Sequence, residues 1–171
     1  GEATVTGRTG SEDFPLSNAF QGTYGGGGID IFVSRLNSDG DELVYSTYLG
    51  GEKDEWPYSI DMDANGRIAI AGGTFSDEFP IVNGESNPET WTADGILMLM
   101  DNIGQPVYSV RSNIPDYDEF VGVVIDENNI VFTIGTNAQE IVKFYRKSEV
   151  DDLEKTFEFE ALGYNYFGSH L

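Results

Sequence analysis

Two short acidic runs are the residues whose types and spacing come closest to a chemical site. Asp61, Asp63 and Asn65, followed by Gly66, set oxygen donors at alternate positions, like the opening of an EF-hand loop. Asn37, Asp39 and Asp41 repeat that spacing. Carboxylate and amide oxygens so arranged are hard ligands, and calcium is the one metal they suggest. The twelfth position counted from Asp61 is Gly72 rather than glutamate, and both flanks are β-rich. A plain hairpin turn is therefore the competing reading.

Other chemistry finds less support. His170 is the single histidine and stands one residue from the end of the sequence. A Ser-His-Asp triad or a histidine metal centre would have to use it, and terminal residues are usually poorly held. Thirty acidic residues leave room for a glycosidase pair, but no spacing singles out two of them. No catalytic residue is assigned, and a non-enzymatic protein is expected. Trp56 and Trp91 stand beside acidic residues, in loops at the same stage of two successive cycles. They read either as packing caps or as platforms for a sugar ring. Glycines 25–28 lack the Lys-Ser/Thr that completes a phosphate-binding loop and lead into a strand, so they read as a flexible link.

Composition bounds the rest. The chain has 171 residues, enough for one domain with a proper core. With 30 acidic and 9 basic residues its formal net charge is -21, which repels phosphate backbones and anionic lipid heads. No basic stripe exists for nucleic acid. The acid excess reads either as a solvated, aggregation-resistant surface or as calcium ligands. Cysteine is absent, which removes disulfides, thiolate metal sites and cysteine nucleophiles. No stretch approaches the roughly 20 apolar residues that span a bilayer. The sequence opens on Gly1 with no signal peptide in view, as a processed, truncated or partial chain would.

The elements that must position these residues are strands. Residues 1–7, 30–36 and 43–49 are β-branched or aromatic and separated by turn-forming types. Ala64-Asn65-Gly66 between alternating apolar positions predicts a second hairpin, residues 58–63 with 67–72. Residues 96–101 pair with 107–110, and 120–126 with 130–135, and a more charged hairpin is predicted from 141–145 and 156–159. The only helix candidate, residues 150–155, reads equally well as a solvated turn.

One phrase occurs twice. Gly7-Arg8-Thr9-Gly10-Ser11-Glu12-Asp13-Phe14-Pro15 returns as Gly72-Gly73-Thr74-Phe75-Ser76-Asp77-Glu78-Phe79-Pro80. Gly72 with Gly135, Asp63 with Asp126, and Val44-Tyr45-Ser46 with Val107-Tyr108-Ser109 are each about 63 residues apart, a repeat period that holds four strands. Four antiparallel strands per unit is the pattern of a β-propeller blade, while an up-and-down barrel or sandwich is the alternative. The chain then divides into a partial first repeat (1–51), a second (52–114) and a divergent third (115–171).

Val5-Thr6-Gly7-Arg8-Thr9 with Asp13-Phe14-Pro15, Asp30-Ile31-Phe32-Val33-Ser34-Arg35-Leu36-Asn37, and Leu43-Val44-Tyr45-Ser46-Thr47-Tyr48-Leu49-Gly50-Gly51 resemble the SBBP-type β-propeller repeats. The likeness runs on through Ile60-Asp61-Met62-Asp63-Ala64-Asn65-Gly66 and fades after Phe79-Pro80. The resemblance implies an extracellular or cell-surface protein, often part of a longer chain, with no catalytic motif. Propellers close with about 4 to 8 blades, and about 2.5 to 3 are encoded here. The expectation is an incomplete propeller that completes its core with more polypeptide or further copies of itself. Its role would be scaffolding, adhesion or assembly, with glycan or calcium-dependent binding as alternatives.

Overall fold

A computed structural model describes residues 1–84, 92–112, 118–126, 131–137, 141–147 and 154–160. Among these the protein is all-β, with no helix. Its strands are β1 (Ala3–Thr9), β2 (Asp30–Leu36), β3 (Leu43–Leu49), β4 (Glu55–Met62), β5 (Ile68–Thr74), β6 (Asp94–Met100), β7 (Pro106–Arg111), β8 (Asp118–Ile125), β9 (Val131–Asn137), β10 (Ile141–Lys147) and β11 (Glu154–Glu160). They form three antiparallel sheets in chain order: β1-β2-β3, β4-β5-β6-β7 and β8-β9-β10-β11. Lys155 lies in β11, so the helix candidate fails there; residues 150–153 lie outside the described residues.

Alternation along each strand decides how the sheets pack. On β5, Ile68 and Ile70 point to one face and Ala69 and Ala71 to the other; on β6, Ile96, Met98 and Met100 oppose Leu97 in the same way. The first set packs against Ile31, Val33, Tyr45 and Leu49 of the first sheet. The second packs against Phe120, Val123 and Val131 of the third. The middle sheet is thus covered on both faces, which accounts for the near-continuous apolar run of β6. Two separate cores result, not one sealed interior between two sheets. Each fully buried aliphatic side chain contributes about 1.5–3 kcal/mol of transfer free energy.

The repeated phrase has a structural job that it performs twice. Thr9 Oγ1 accepts from Ser11 N at 3.1 Å, and Thr74 Oγ1 from Ser76 N at 2.9 Å. Ser46 Oγ donates to the Pro15 carbonyl at 2.7 Å, and Ser109 Oγ to that of Pro80 at 2.8 Å. Asn18 and Asn83 both take positive φ, 47° and 54°, and donate their side-chain amides to Val44 and Val107 carbonyls. In both cases the loop after Phe-Pro returns along the outermost strand of its own sheet. Ser17 and Gln21 bridge to β3, and Val82 O accepts from Ser109 N of β7. Unpaired strand edges invite aggregation, and these loops cover two of them.

Two sequence expectations need correction. Trp56 is not in a loop: β4 begins at Glu55, and the strand accommodates Pro57 because it lies at a sheet edge and shifts register between Pro57 and Ser59. Glycines 25–28 are not a loose link. Gly25 N donates to Asp30 Oδ2 at 2.7 Å and Gly28 N to Asp54 Oδ1 at 2.5 Å. A Cβ on Gly25 would strike the carbonyls of Gly50 and Gly51, so these glycines serve close backbone approach.

Candidate functional site

The first strands of the three sheets, β1, β4 and β8, border a cleft of about 690 Å³. Thr6, Gly7 and Arg8 form one wall, residues 56–60 the other, and Glu119 the end. β1 is hydrogen-bonded only to β2, so its other edge opens on the cleft. The register Thr6↔Val33 and Arg8↔Ile31 puts Thr6 and Arg8 on the face turned toward the second sheet.

Trp56 is held on three sides. Its Nε1–H donates to Glu119 Oε1 at 2.8 Å, and its ring meets Phe75 edge-on at 5.1 Å. The indole also lies against Gly73, where a Cβ would come within 3.0 Å of it. Tyr58 OH donates to the same Glu119 oxygen at 2.9 Å. Among the described side chains, Arg35, Lys53, Arg67 and Arg111 are ion-paired, to Glu2, Asp77, Asp63 and Asp94 respectively. Arg8 is the one Lys or Arg side chain within residues 1–126 without such a partner among the described residues, and it is exposed at the cleft.

A second arrangement went unread in the sequence: acidic residues that open strands β2, β4, β6 and β8. Asp30, Glu55, Asp94 and Asp118 are all buried. Burial raises the Asp30 carboxyl above its usual range. Burial also pushes Glu55 up to about 7, against the opposing pull of hydrogen bonds from Ser76, Thr74 and Gly51 N. Thr74 Oγ1 and Gly51 N contact Glu55 at 2.6 and 3.0 Å. Asp30 and Glu55 flank Gly50, where a Cβ would sit 2.5 Å from an atom of each. One repeat on, Asp94 pairs with buried Arg111, and Asp118 accepts from Gly95 N at 3.2 Å. Both Asp30 and Glu55 have 0% exposure, and their contacts tie strand ends to the glycine loops. The readable signal is an acid as the first residue of each of these four strands.

The calcium candidates are brought together only locally. Asp63 Oδ1 accepts from Asn65 N and Arg67 N, and its Oδ2 from Arg67 Nε at 2.7 Å. Burial works against the charge, yet Arg67 and these N–H groups hold the Asp63 carboxyl below its usual range. Asp61 instead turns to the third sheet, accepting from Ile125 N at 2.7 Å. Asn37 Oδ1 accepts from Gly40 N and Asp41 N, its amide donates to Asp41, and Asp39 shares that exposed turn. Among the described residues, no group of three or more His, Cys, Asp or Glu is placed to hold a metal ion. Trp91 and His170 lie outside the described residues.

No protein-family model matches the chain, and no curated protein sequence matches it. No helix among the described residues is long and apolar enough to cross a membrane.

Proposed function

We propose that this chain is a non-enzymatic scaffold or assembly module of the cell surface or extracellular space, made of propeller-like blades. Each sheet is one blade of a repeat of about 63 residues, and the array of about 2.5 to 3 blades is completed by further polypeptide or further copies. The observation that carries this reading is the middle sheet, cored on both faces by its neighbours as a blade is. The resemblance to SBBP-type repeats points the same way. Light scattering over a range of concentrations tests the reading. Self-association, or exposed apolar surface in a dye-binding assay, is expected. A stable monomer that binds no dye would contradict it.

A second reading rests on the cleft, where Trp56 and Tyr58 stand beside Arg8 and Glu119. Such a wall suits a carbohydrate ring. A glycan array on the intact chain separates the two readings, since the scaffold predicts no specific sugar binding. Calcium titration by calorimetry does the same for an adhesion module held by Asp61, Asp63 and Asn65 or by Asn37, Asp39 and Asp41.

A further inference from the structure

We propose that the free edge of β1 is a strand-acceptor site, taking an extended polypeptide that carries carboxylates opposite Thr9 and Arg8 and a hydroxyl-x-carboxylate pair further along. It rests on reading the sheets as successive equivalent blades and specifies what completes the first.

The observations are a set of contacts made between the second and third sheets whose counterparts in the first lack a partner. β8 uses its outward N–H groups against β4 side chains: Val123 N donates to Ser59 Oγ at 3.2 Å and Ile125 N to Asp61 Oδ2 at 2.7 Å. The pairings Val123↔Thr133 and Ile125↔Val131 in the third sheet correspond to Ile60↔Ile70 and Met62↔Ile68 in the second. Ile60 and Met62 therefore turn their N–H groups outward in the same way. Among the described residues no side chain accepts from them, and Met62 is 44% exposed. A strand in the cleft with a hydroxyl and a carboxylate two residues apart, as in β4, supplies both acceptors.

The β1 side gives the same answer. Thr74 Oγ1 accepts from Ser76 N and donates to Glu55 of the strand beside it. Thr9 Oγ1 accepts from Ser11 N in the same way, but no acceptor for its proton stands among the described residues. The position equivalent to Gly73, on which the Trp56 indole rests, is Arg8 in the first sheet. There an indole would meet a guanidinium stem, whereas a carboxylate would pair with Arg8, which has no ion-pair partner among the described residues. Strand addition of this kind takes its affinity from backbone hydrogen bonds and its specificity from alternate side chains.

The probe is a synthetic peptide copying residues 52–63 with Trp56→Glu, added to the intact chain while amide exchange is followed by NMR. The proposal predicts that exchange slows at least tenfold at alternate residues of β1 and at Ile60 and Met62. Ser59→Ala plus Asp61→Ala in the peptide should abolish protection at Ile60 and Met62 while leaving it on β1. Arg8→Ala in the protein should weaken the peptide by about fivefold, as loss of a rim ion pair does. An unprotected β1 with Val123 and Ile125 still slow overturns the acceptor site and leaves the stacked-blade reading standing. If Val123 and Ile125 exchange as fast as open loops, the blade reading itself fails. Protection of β1 that grows with protein concentration and resists the peptide would mean that a second copy fills the edge, and would overturn the partner strand.

Discussion

Trp56 Nε1 and Glu119 Oε1 meet at 2.8 Å across 63 positions of sequence, and the two residues are equivalents one repeat apart. Each begins the second position of the first strand in its sheet, after Glu55 and Asp118. A residue that touches its own counterpart in the next unit defines a heterologous contact, the kind that propagates from unit to unit. Ser59 with Val123 and Asp61 with Ile125 continue the contact between β4 and β8 down the strand, each offset by one residue from its counterpart.

Removing the Asp61 acceptor tests that relation at its lower end. Asp61→Ala leaves the Ile125 N–H without its partner, and destabilisation by about 1–3 kcal/mol is expected in urea unfolding. Asp61→Asn keeps an acceptor oxygen and recovers most of the loss. Amide exchange at Ile125 should quicken in the alanine variant alone.

Arg111 is a buried cation whose guanidinium holds Asp94. Arg111→Ala strands that carboxylate in the core, and a loss of about 3–5 kcal/mol is expected. The double variant Arg111→Met with Asp94→Leu removes both charges and should be distinctly more stable than Arg111→Ala. Chemical denaturation of the three proteins checks the order.

Stability should fall as pH rises from about 4.5 to 7. Across that window the buried Glu55 keeps its proton in the folded state while the unfolded chain loses it, so the unfolded state binds fewer protons. The slope from this one group reaches about 1.4 kcal/mol per pH unit, and Asp30, raised in the same direction, adds to it at its lower end. Glu55→Gln keeps the shape and one acceptor oxygen but cannot titrate, and should flatten the profile between those limits. Thermal melts of both proteins at half-unit steps give the comparison.

Two turn glycines with nearly the same backbone make a matched pair. Gly40 has φ 77° and open space where a Cβ would go, whereas Gly104 has φ 81° and would place that Cβ 2.6 Å from the Tyr45 ring. Gly40→Ala should lose only the left-handed strain of about 1–2 kcal/mol. Gly104→Ala should lose more, because the turn between β6 and β7 lies against the first sheet. Equal losses in unfolding experiments would deny that contact.

Strand content and hairpin partners were legible because period-2 alternation and Asn-Gly turns act locally. The repeated phrase was legible too, but its use was not: Pro15 and Pro80 act through main-chain carbonyls, which carry no residue identity. Trp56 was misplaced because Pro57 argues against a strand unless the strand is at an edge, and edge position is a property of the sheet. The acids at the head of β2, β4, β6 and β8 are hard to pick out among 30 acidic residues, since their position at a strand start is legible but their desolvation is not. Asp61 and Asp63 share an alternate spacing but part company because Asp61 is still in β4 and meets the third sheet, whereas Asp63 lies past the strand's end and caps the turn that follows.

A double-mutant cycle at Trp56 and Glu119 bears most directly on the claim that equivalent residues of successive sheets pack on one another. Trp56→Phe, Glu119→Ala and the double variant should show a coupling of about 1 kcal/mol or more in urea unfolding, as contacting residues do. Losses that simply add, to within about 0.5 kcal/mol, would contradict it.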